Sequence, residues 1–208
     1  MKKILQKLPK LHFNSPVILS MTALSLIALL LNWITNGWTN KMIFSVRRLS
    51  LANPMLYLRL FTHVLGHVDY SHFIGNFMVI LIVGPMLEEK YGSKSMLEMI
   101  GVTALVTGLI QVIFFPRTLL LGASGIVFML ILLSSFTNHQ KGKIPVTLIV
   151  VALIYLSGEI INAIANPNDG ISQMAHLIGG ACGMVFGWLI TKEKDEPAQS
   201  SDLQLPTL

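Results

Sequence analysis

The stretch GASGIVFMLILLSSF, residues 122–136, joins a small, weakly polar beginning to an unbroken apolar run. No charged side chain interrupts the run, which approaches the roughly 20 apolar residues that a helix needs to cross a bilayer. Its beginning contains Ser124, and a polar group at such a position in a membrane helix usually faces the protein interior or a water-filled cavity. The stretch therefore predicts a membrane helix with one polar end.

Five further apolar runs lie on either side of this stretch, and together the six predict an all-α membrane protein, a bundle of six transmembrane helices. The other five runs are Val17–Thr35, His72–Leu87, Ser95–Phe115, Ile144–Ile164 and Gln173–Thr191. The composition agrees with lipid as the solvent, because 53% of the 208 residues are apolar and only 12% are charged. The charged fraction is about half that of a typical soluble domain.

The chain divides into three predicted parts. Residues 1–16 form a basic cytoplasmic segment, residues 17–191 a single six-helix domain, and residues 192–208 a polar cytoplasmic tail. The first apolar run is too long for the apolar part of a secretory signal, which predicts a retained span. The region from Asn36 to Tyr70 is too long for a tight turn and too apolar for a solvated loop. We therefore expect it to lie in or on the outer leaflet.

The basic residues predict the orientation of the bundle. With six spans both termini lie on one side, and placing them in the cytoplasm puts ten lysines inside against five basic residues outside. The net charge is +5, but the basic residues lie in short segments between the apolar runs and do not form one basic face. This distribution argues against nucleic acid as a partner. We expect a multi-pass protein of the plasma membrane, with the lipid bilayer as its surroundings.

Polar residues open three of the predicted spans at one depth near the outer face. Spans two, four and six run in the same direction, and their beginnings carry His72 with Asn76, then Ser124, then His176. Hydrolysis of an amide needs a nucleophile, a base and donors for the developing oxyanion. Ser124 fits the nucleophile and can add its own backbone N–H as a donor. His176 fits the base, since an imidazole exchanges protons near neutral pH.

Two further features support this interpretation. His72 and Asn76 are four residues apart and share a helix face, so both can donate to an oxyanion. Small residues let helix backbones approach closely in lipid, and we expect spans four and six to bring Ser124 and His176 to hydrogen-bond distance, about 3 Å. The glycines expected to support this packing are Gly122, Gly125, Gly179 and Gly183. Each of these residues, taken singly, could have a purely structural role. Their occurrence together at one depth is stronger evidence for a catalytic site than any one of them.

These residues resemble the motifs of the rhomboid family of intramembrane serine proteases over roughly residues 59–188. Gly122–Gly125 is similar to the family's GxSG, His67–Asn76 to its HxxxxHxxxN, and Ala175–Gly183 to its AHxxGxxxG. The resemblance implies a Ser124–His176 dyad, and an oxyanion hole formed by His72, Asn76 and the backbone of Ser124. It also implies a membrane-embedded first loop over residues 36–70 and a substrate gate formed by span five with residues 164–172.

The same resemblance implies a reaction without cofactor or metal, acting on single-span transmembrane proteins near the outer membrane face. Arg59, Glu88 and Gly92 fall at positions that have a structural role in the family. Two positions depart from its pattern, since Leu58 stands where tryptophan is frequent and Phe128 where tyrosine is frequent. Both changes are peripheral to the chemistry.

Two other functions are compatible with parts of this sequence. A noncatalytic rhomboid-like protein would bind transmembrane helices without cleaving them, although such relatives usually lack the serine or the histidine that this chain keeps. A metal site could use His63 and His67, four residues apart, with Asp69 and His72 nearby. Buried, hydrogen-bonded histidines that support the first loop would explain the first two equally well.

Glu159 is a carboxyl group within the fifth apolar run. An ionisable group there costs about 2.5 kcal/mol or more unless it is protonated, paired or hydrated. We expect it to face the bundle or a water-filled cavity near the outer end.

Overall fold

The computed structural model describes residues 13–137, 143–165 and 170–195, and most of these residues are helical. A 3₁₀ turn, His63–Leu65, follows the third helix. The helices are α1 Pro16–Ile34, α2 Trp38–Met42, α3 Pro54–Thr62, α4 Tyr70–Tyr91, α5 Ser93–Phe114, α6 Ser124–Ser134, α7 Val146–Ala165 and α8 Gly170–Asp195. The predicted all-helical class is confirmed, and each of the six predicted spans coincides with a helix to within a few residues.

Among the described residues, four helices are long and apolar enough to cross a membrane by length and composition, namely α1, α4, α5 and the part of α8 from Gln173 to Thr191. The apolar stretches Ser124–Ser134 of α6 and Val146–Tyr155 of α7 are shorter. At about 1.5 Å per residue, α6 extends over roughly half of the ~30 Å hydrocarbon core. The count of six spans therefore stays a prediction.

Helix α6 lies at the centre of the bundle, where it contacts α4, α5, α7 and α8. It is apolar on all sides, as expected for a helix surrounded by others. Its buried residues are Gly125, Ile126, Val127, Met129, Leu130, Leu132 and Leu133. The outer surfaces of the surrounding helices expose large apolar side chains, such as Leu24 and Ile27 of α1 and Ile82 of α4. Such surfaces are stable when lipid covers them.

The segment between α1 and α4 is held against the beginning of α6 by backbone hydrogen bonds. Val46 and Leu120 form an isolated antiparallel bridge, with N···O distances of 2.9 and 3.0 Å. The Gly122 N–H donates to the carbonyl of His63 at 3.0 Å. Arg59 is buried, and its Nε donates to the carbonyl of Met42 at 2.8 Å. The segment thus forms a fixed support for the residues that precede Ser124.

Glu88, near the end of α4, binds the beginning of α1. Its two carboxylate oxygens accept hydrogen bonds from the backbone N–H groups of Val17 and Ile18 at 2.9 and 3.0 Å, and Ser93 Oγ donates to it at 2.7 Å. The first N–H groups of a helix have no partner within the helix, and the helix dipole favours a negative charge at that end. Glu88 therefore caps α1 from another helix, in agreement with the structural role expected for it.

Some predictions fall outside the described residues. These include the structure of residues 1–12 and 196–208, the 166–169 portion of the expected gate, and the side-chain position of Glu159. Helix α8 continues to Asp195, four residues into the segment expected to form the tail.

Candidate active site

Ser124 is the first residue of α6, and the turn before it contains a backbone conformation that favours glycine. Gly122 has φ of +121°, in the region that residues with a side chain rarely adopt. The first helical hydrogen bond of this turn joins the Val127 N–H to the Ala123 carbonyl at 3.0 Å. The Ser124 N–H stands at the helix start, where no carbonyl of an earlier turn accepts it. The candidate nucleophile and a candidate oxyanion donor therefore occupy the positive end of one helix.

Helices α6 and α8 cross with their backbones in contact, and the glycines of α8 make this possible. A Cβ at Gly179 would lie 2.7 Å from the backbone carbonyl carbon of Gly125, and one at Gly183 would lie 3.0 Å from that of Met129. Any side chain at Gly179 would push the two helices apart, since such a distance is far inside van der Waals contact. The expected close packing of these two helices is present.

His176 lies on α8 beside this crossing and is half-buried. The carbonyl of the preceding Ala175 lies 3.3 Å from the position of a Cβ on Gly125, the residue after Ser124. The imidazole packs on the ring of Phe128, one turn further along α6, with ring centroids 4.6 Å apart. Phe128 also contacts the ring of Tyr155 from α7, with ring centroids 4.1 Å apart. The candidate base therefore packs beside the α6–α8 crossing against Phe128, which in turn contacts Tyr155.

His72 and Asn76 reach the turn before Ser124 from α4. A Cβ at Gly122 would lie 2.8 Å from both Cε1 and Nε2 of His72 and 3.9 Å from Nδ2 of Asn76. Asp69 caps α4, because its Oδ1 accepts from the His72 N–H at 2.8 Å, and this fixes where the helix begins. The two expected oxyanion donors therefore lie against the loop that carries the candidate nucleophile.

His67, which the sequence suggested either as a support of the first loop or as a metal ligand, is in direct contact with this group. Its Nε2 lies 3.1 Å from Nδ2 of Asn76, and its Nδ1 lies 3.1 Å from the carbonyl oxygen of Leu65. The motif spacing from His67 to Asn76 was visible in the sequence, but the contact is not a helical one, because His67 precedes α4. Only the fold could show that the two side chains meet.

His63 makes a separate set of bonds away from Asn76. Its Nδ1 lies 3.1 Å from the Arg59 carbonyl, and its Nε2 lies 3.3 Å from Thr107 Oγ1. Burial lowers the pKa of both His63 and His67 to about 4, so each imidazole is neutral at physiological pH. Across the described ranges no three or more His, Cys, Asp or Glu side chains form a group that could hold a metal ion. The bonds of the two histidines favour the structural explanation given above.

The long apolar helices, together with the match of the chain to a family of membrane proteins, identify it as a multi-pass integral membrane protein. It belongs to the rhomboid family, because the model of the rhomboid domain matches residues 55–193, more than half of the chain. The resemblance inferred from the motifs is thereby confirmed.

Two relatives illustrate the similarity to known proteins. The chain is 24% identical over 137 residues to the rhomboid protease GlpG of Haemophilus influenzae, covering 64% of this chain and 70% of that protein. It is 26% identical over 142 residues to rhomboid-related protein 1 of Caenorhabditis elegans, covering 64% of this chain and 39% of that protein. The chain thus spans well under half the length of the nematode relative. Family membership and the protease relative support intramembrane protease activity at the level of the family.

Proposed function

We propose that this chain is an intramembrane serine endopeptidase that cleaves transmembrane segments of membrane proteins near the outer membrane face. The observation that carries the proposal is that residues of three helices, α4, α6 and α8, lie against the first turn of α6 and the loop before it. Ser124 opens α6, His176 lies on α8 at its backbone contact with α6, and His72 and Asn76 approach from α4. Each motif by itself would supply only one of these groups, so their proximity supports the proposal more strongly than any one motif does.

The chemistry follows from the roles of these groups. Ser124 Oγ attacks the peptide carbonyl while His176 takes its proton, and the carbonyl oxygen becomes an oxyanion. The Ser124 N–H, Asn76 and His72 stabilise that negative charge, at the positive end of α6. His176 then gives its proton to the leaving amine, and water releases the acyl group by the same steps in reverse. The reaction needs neither a metal nor a cofactor.

The expected substrates are single-span proteins with helix-breaking residues near the cleavage site. A peptide bond inside a helix is already hydrogen-bonded and is shielded by side chains, so the segment must unwind before Ser124 can reach it. Glycine and proline weaken a helix and lower the cost of unwinding.

The arrangement in the membrane is part of the same proposal. We place the six-helix domain at residues 17–191, with segments 1–16 and 192–208 in the cytoplasm, in the plasma membrane. The distribution of lysines along the chain supports this orientation. The first loop, residues 36–70, would lie embedded at the outer leaflet, and its many apolar side chains support that position.

Labelling by a fluorophosphonate probe in proteoliposomes tests the activity without a known substrate. We expect the wild type to be labelled and both Ser124→Ala and His176→Ala to lose labelling by at least about 1,000-fold, because each removes one member of the dyad. Ser134→Ala is the matched control, since Ser134 is on the same helix and its hydroxyl donates to the carbonyl of Ile131, within its own helix, at 2.6 Å. A folded wild type that is not labelled would contradict the proposal and favour a noncatalytic helix-binding protein.

A further inference from the structure

His67 occupies a closed aromatic site beside the candidate oxyanion donors. None of its surface is exposed. The rings of His72, Phe73 and Phe77 surround it, with centroids at 4.9, 5.5 and 5.6 Å. An imidazole in such a site has only the hydrogen bonds that the protein offers. Its two ring nitrogens therefore decide how it interacts.

The partner of the first ring nitrogen determines the tautomer. Nδ1 faces the carbonyl oxygen of Leu65 at 3.1 Å, and a carbonyl can only accept, so Nδ1 must carry the proton. A neutral imidazole then presents Nε2 as an acceptor. Nε2 faces the side-chain amide of Asn76 at 3.1 Å, so the group turned toward it must be the NH₂ and not the carbonyl.

The same NH₂ group is the part of Asn76 closest to the loop of the candidate nucleophile. Its nitrogen lies 3.9 Å from the Cβ position of Gly122, and the carbonyl oxygen is no closer. An amide nitrogen has two hydrogens, so one can bind His67 while the second is available to an oxyanion. A rotation of the amide by 180° would exchange nitrogen and oxygen and place a negative dipole where a donor is required.

We propose that His67 is a positioning residue that fixes the amide orientation of Asn76, through a chain from the Leu65 carbonyl to His67 and then to Asn76. The inference rests on the proposed function, because the orientation affects a rate only if Asn76 binds an oxyanion. His67 itself does not touch the reacting atoms. Without its acceptor, Asn76 populates both amide orientations, and only one of them stabilises the oxyanion.

Two substitutions separate the two ring nitrogens of His67. Glutamine can place an acceptor oxygen near the position of Nε2, whereas asparagine is shorter and can replace only the Nδ1 donor. We expect His67→Gln to keep the labelling rate constant at saturating fluorophosphonate within about threefold of wild type, and His67→Asn to lower it by roughly 10- to 100-fold. The probe concentration at half-maximal rate should not change in either variant, because ground-state binding does not use the oxyanion hole. Equal loss in both variants would overturn the proposal.

A double-substitution cycle with Asn76→Ala distinguishes positioning from general support of the fold. If His67 acts only through Asn76, His67→Asn should cause no further loss of rate in the Asn76→Ala background. Losses that multiply would show that His67 acts by another route and would overturn the proposal. Thermal unfolding of each variant in detergent establishes that the compared proteins are folded.

The tautomer can be measured without any variant. Nitrogen-15 NMR of histidine-labelled wild type should show a His67 imidazole that carries its proton on Nδ1 at neutral pH. A proton on Nε2 would overturn the inference even in a fully active enzyme. An unlabelled Ser124 in a folded wild type would instead remove the proposed function, so the two failures are distinguishable.

Discussion

At the scale of single residues, Gly122 is the position where the smallest change should have the largest effect on the site. Its φ of +121° strains any other residue, and a Cβ there would lie 2.8 Å from the His72 imidazole. We expect Gly122→Ala to displace His72 and lower the rate of fluorophosphonate labelling by about 100-fold, the usual effect of losing one oxyanion donor.

The control for this substitution is Gly75→Ala on α4, where a Cβ would meet no other atom within 4 Å. It should label at the wild-type rate and unfold at a temperature no lower than wild type, since alanine favours a helix. Equal labelling of the two alanine variants would contradict the assigned position of His72.

A second prediction for a single residue concerns Glu88 and the stability of the fold. Glu88→Gln replaces one acceptor oxygen with an NH₂ that faces backbone or hydroxyl donors, so α1 loses part of its cap. We expect the free energy of unfolding in detergent to fall by about 1–3 kcal/mol. The adjacent Glu89 is exposed, and Glu89→Gln should leave the unfolding transition unchanged. Equal effects of the two substitutions would show that net charge, not capping, is responsible.

At the scale of elements, the α6–α8 crossing depends on the absence of side chains at the contact. In Gly179→Ala the new Cβ would lie 2.7 Å from backbone of α6, and backbone cannot turn away as a side chain can. We expect a lower unfolding temperature and loss of labelling together, because separating the helices also separates Ser124 from His176. Gly101→Ala on α5 meets no atom within 4 Å and should change neither property. A folded Gly179→Ala variant with wild-type labelling would contradict this account.

The elements also show what the sequence could predict. The apolar runs predicted the position of every long helix that the structure describes, because length and hydropathy are local properties of the sequence. The spacing of Gly179 and Gly183 indicated the close crossing of α6 and α8. The pairing of His67 with Asn76 could not be predicted, because it depends on where the chain from α3 re-enters the bundle. The Phe128 contact with Tyr155 likewise depends on how the consecutive helices α6 and α7 pack, which the apolar pattern does not define.

At the scale of the whole molecule, the two buried histidines of the first loop predict how stability depends on pH. Burial lowers the pKa of His63 and His67 to about 4, whereas an exposed histidine in the unfolded chain has a pKa of about 6.5. Below about pH 6.5 the unfolded chain takes up protons that the folded protein does not, so stability falls as pH falls toward 4. Above that window these groups add no pH dependence.

Thermal unfolding in detergent from about pH 7.5 to about pH 4.5 measures this dependence. The unfolding temperature should be constant at the upper end and decrease steadily below about pH 6.5. His63→Phe removes one of the two groups and should make the decrease shallower, whatever its effect on stability at neutral pH. A constant unfolding temperature over the whole range would contradict the neutral state of the two histidines.

The capping of α1 by Glu88 has a consequence for how the first helix can vary. The matched rhomboid domain begins at residue 55, so α1 lies before it, yet Glu88 inside the domain binds α1 through backbone N–H groups alone. Every residue except proline offers the same N–H, so this attachment does not read the sequence of the helix that it holds. The cap therefore constrains positions 17 and 18 only against proline, whereas the rest of α1 is held through buried side chains such as Ile18 and Leu29, and it is these contacts that limit how the first helix can vary.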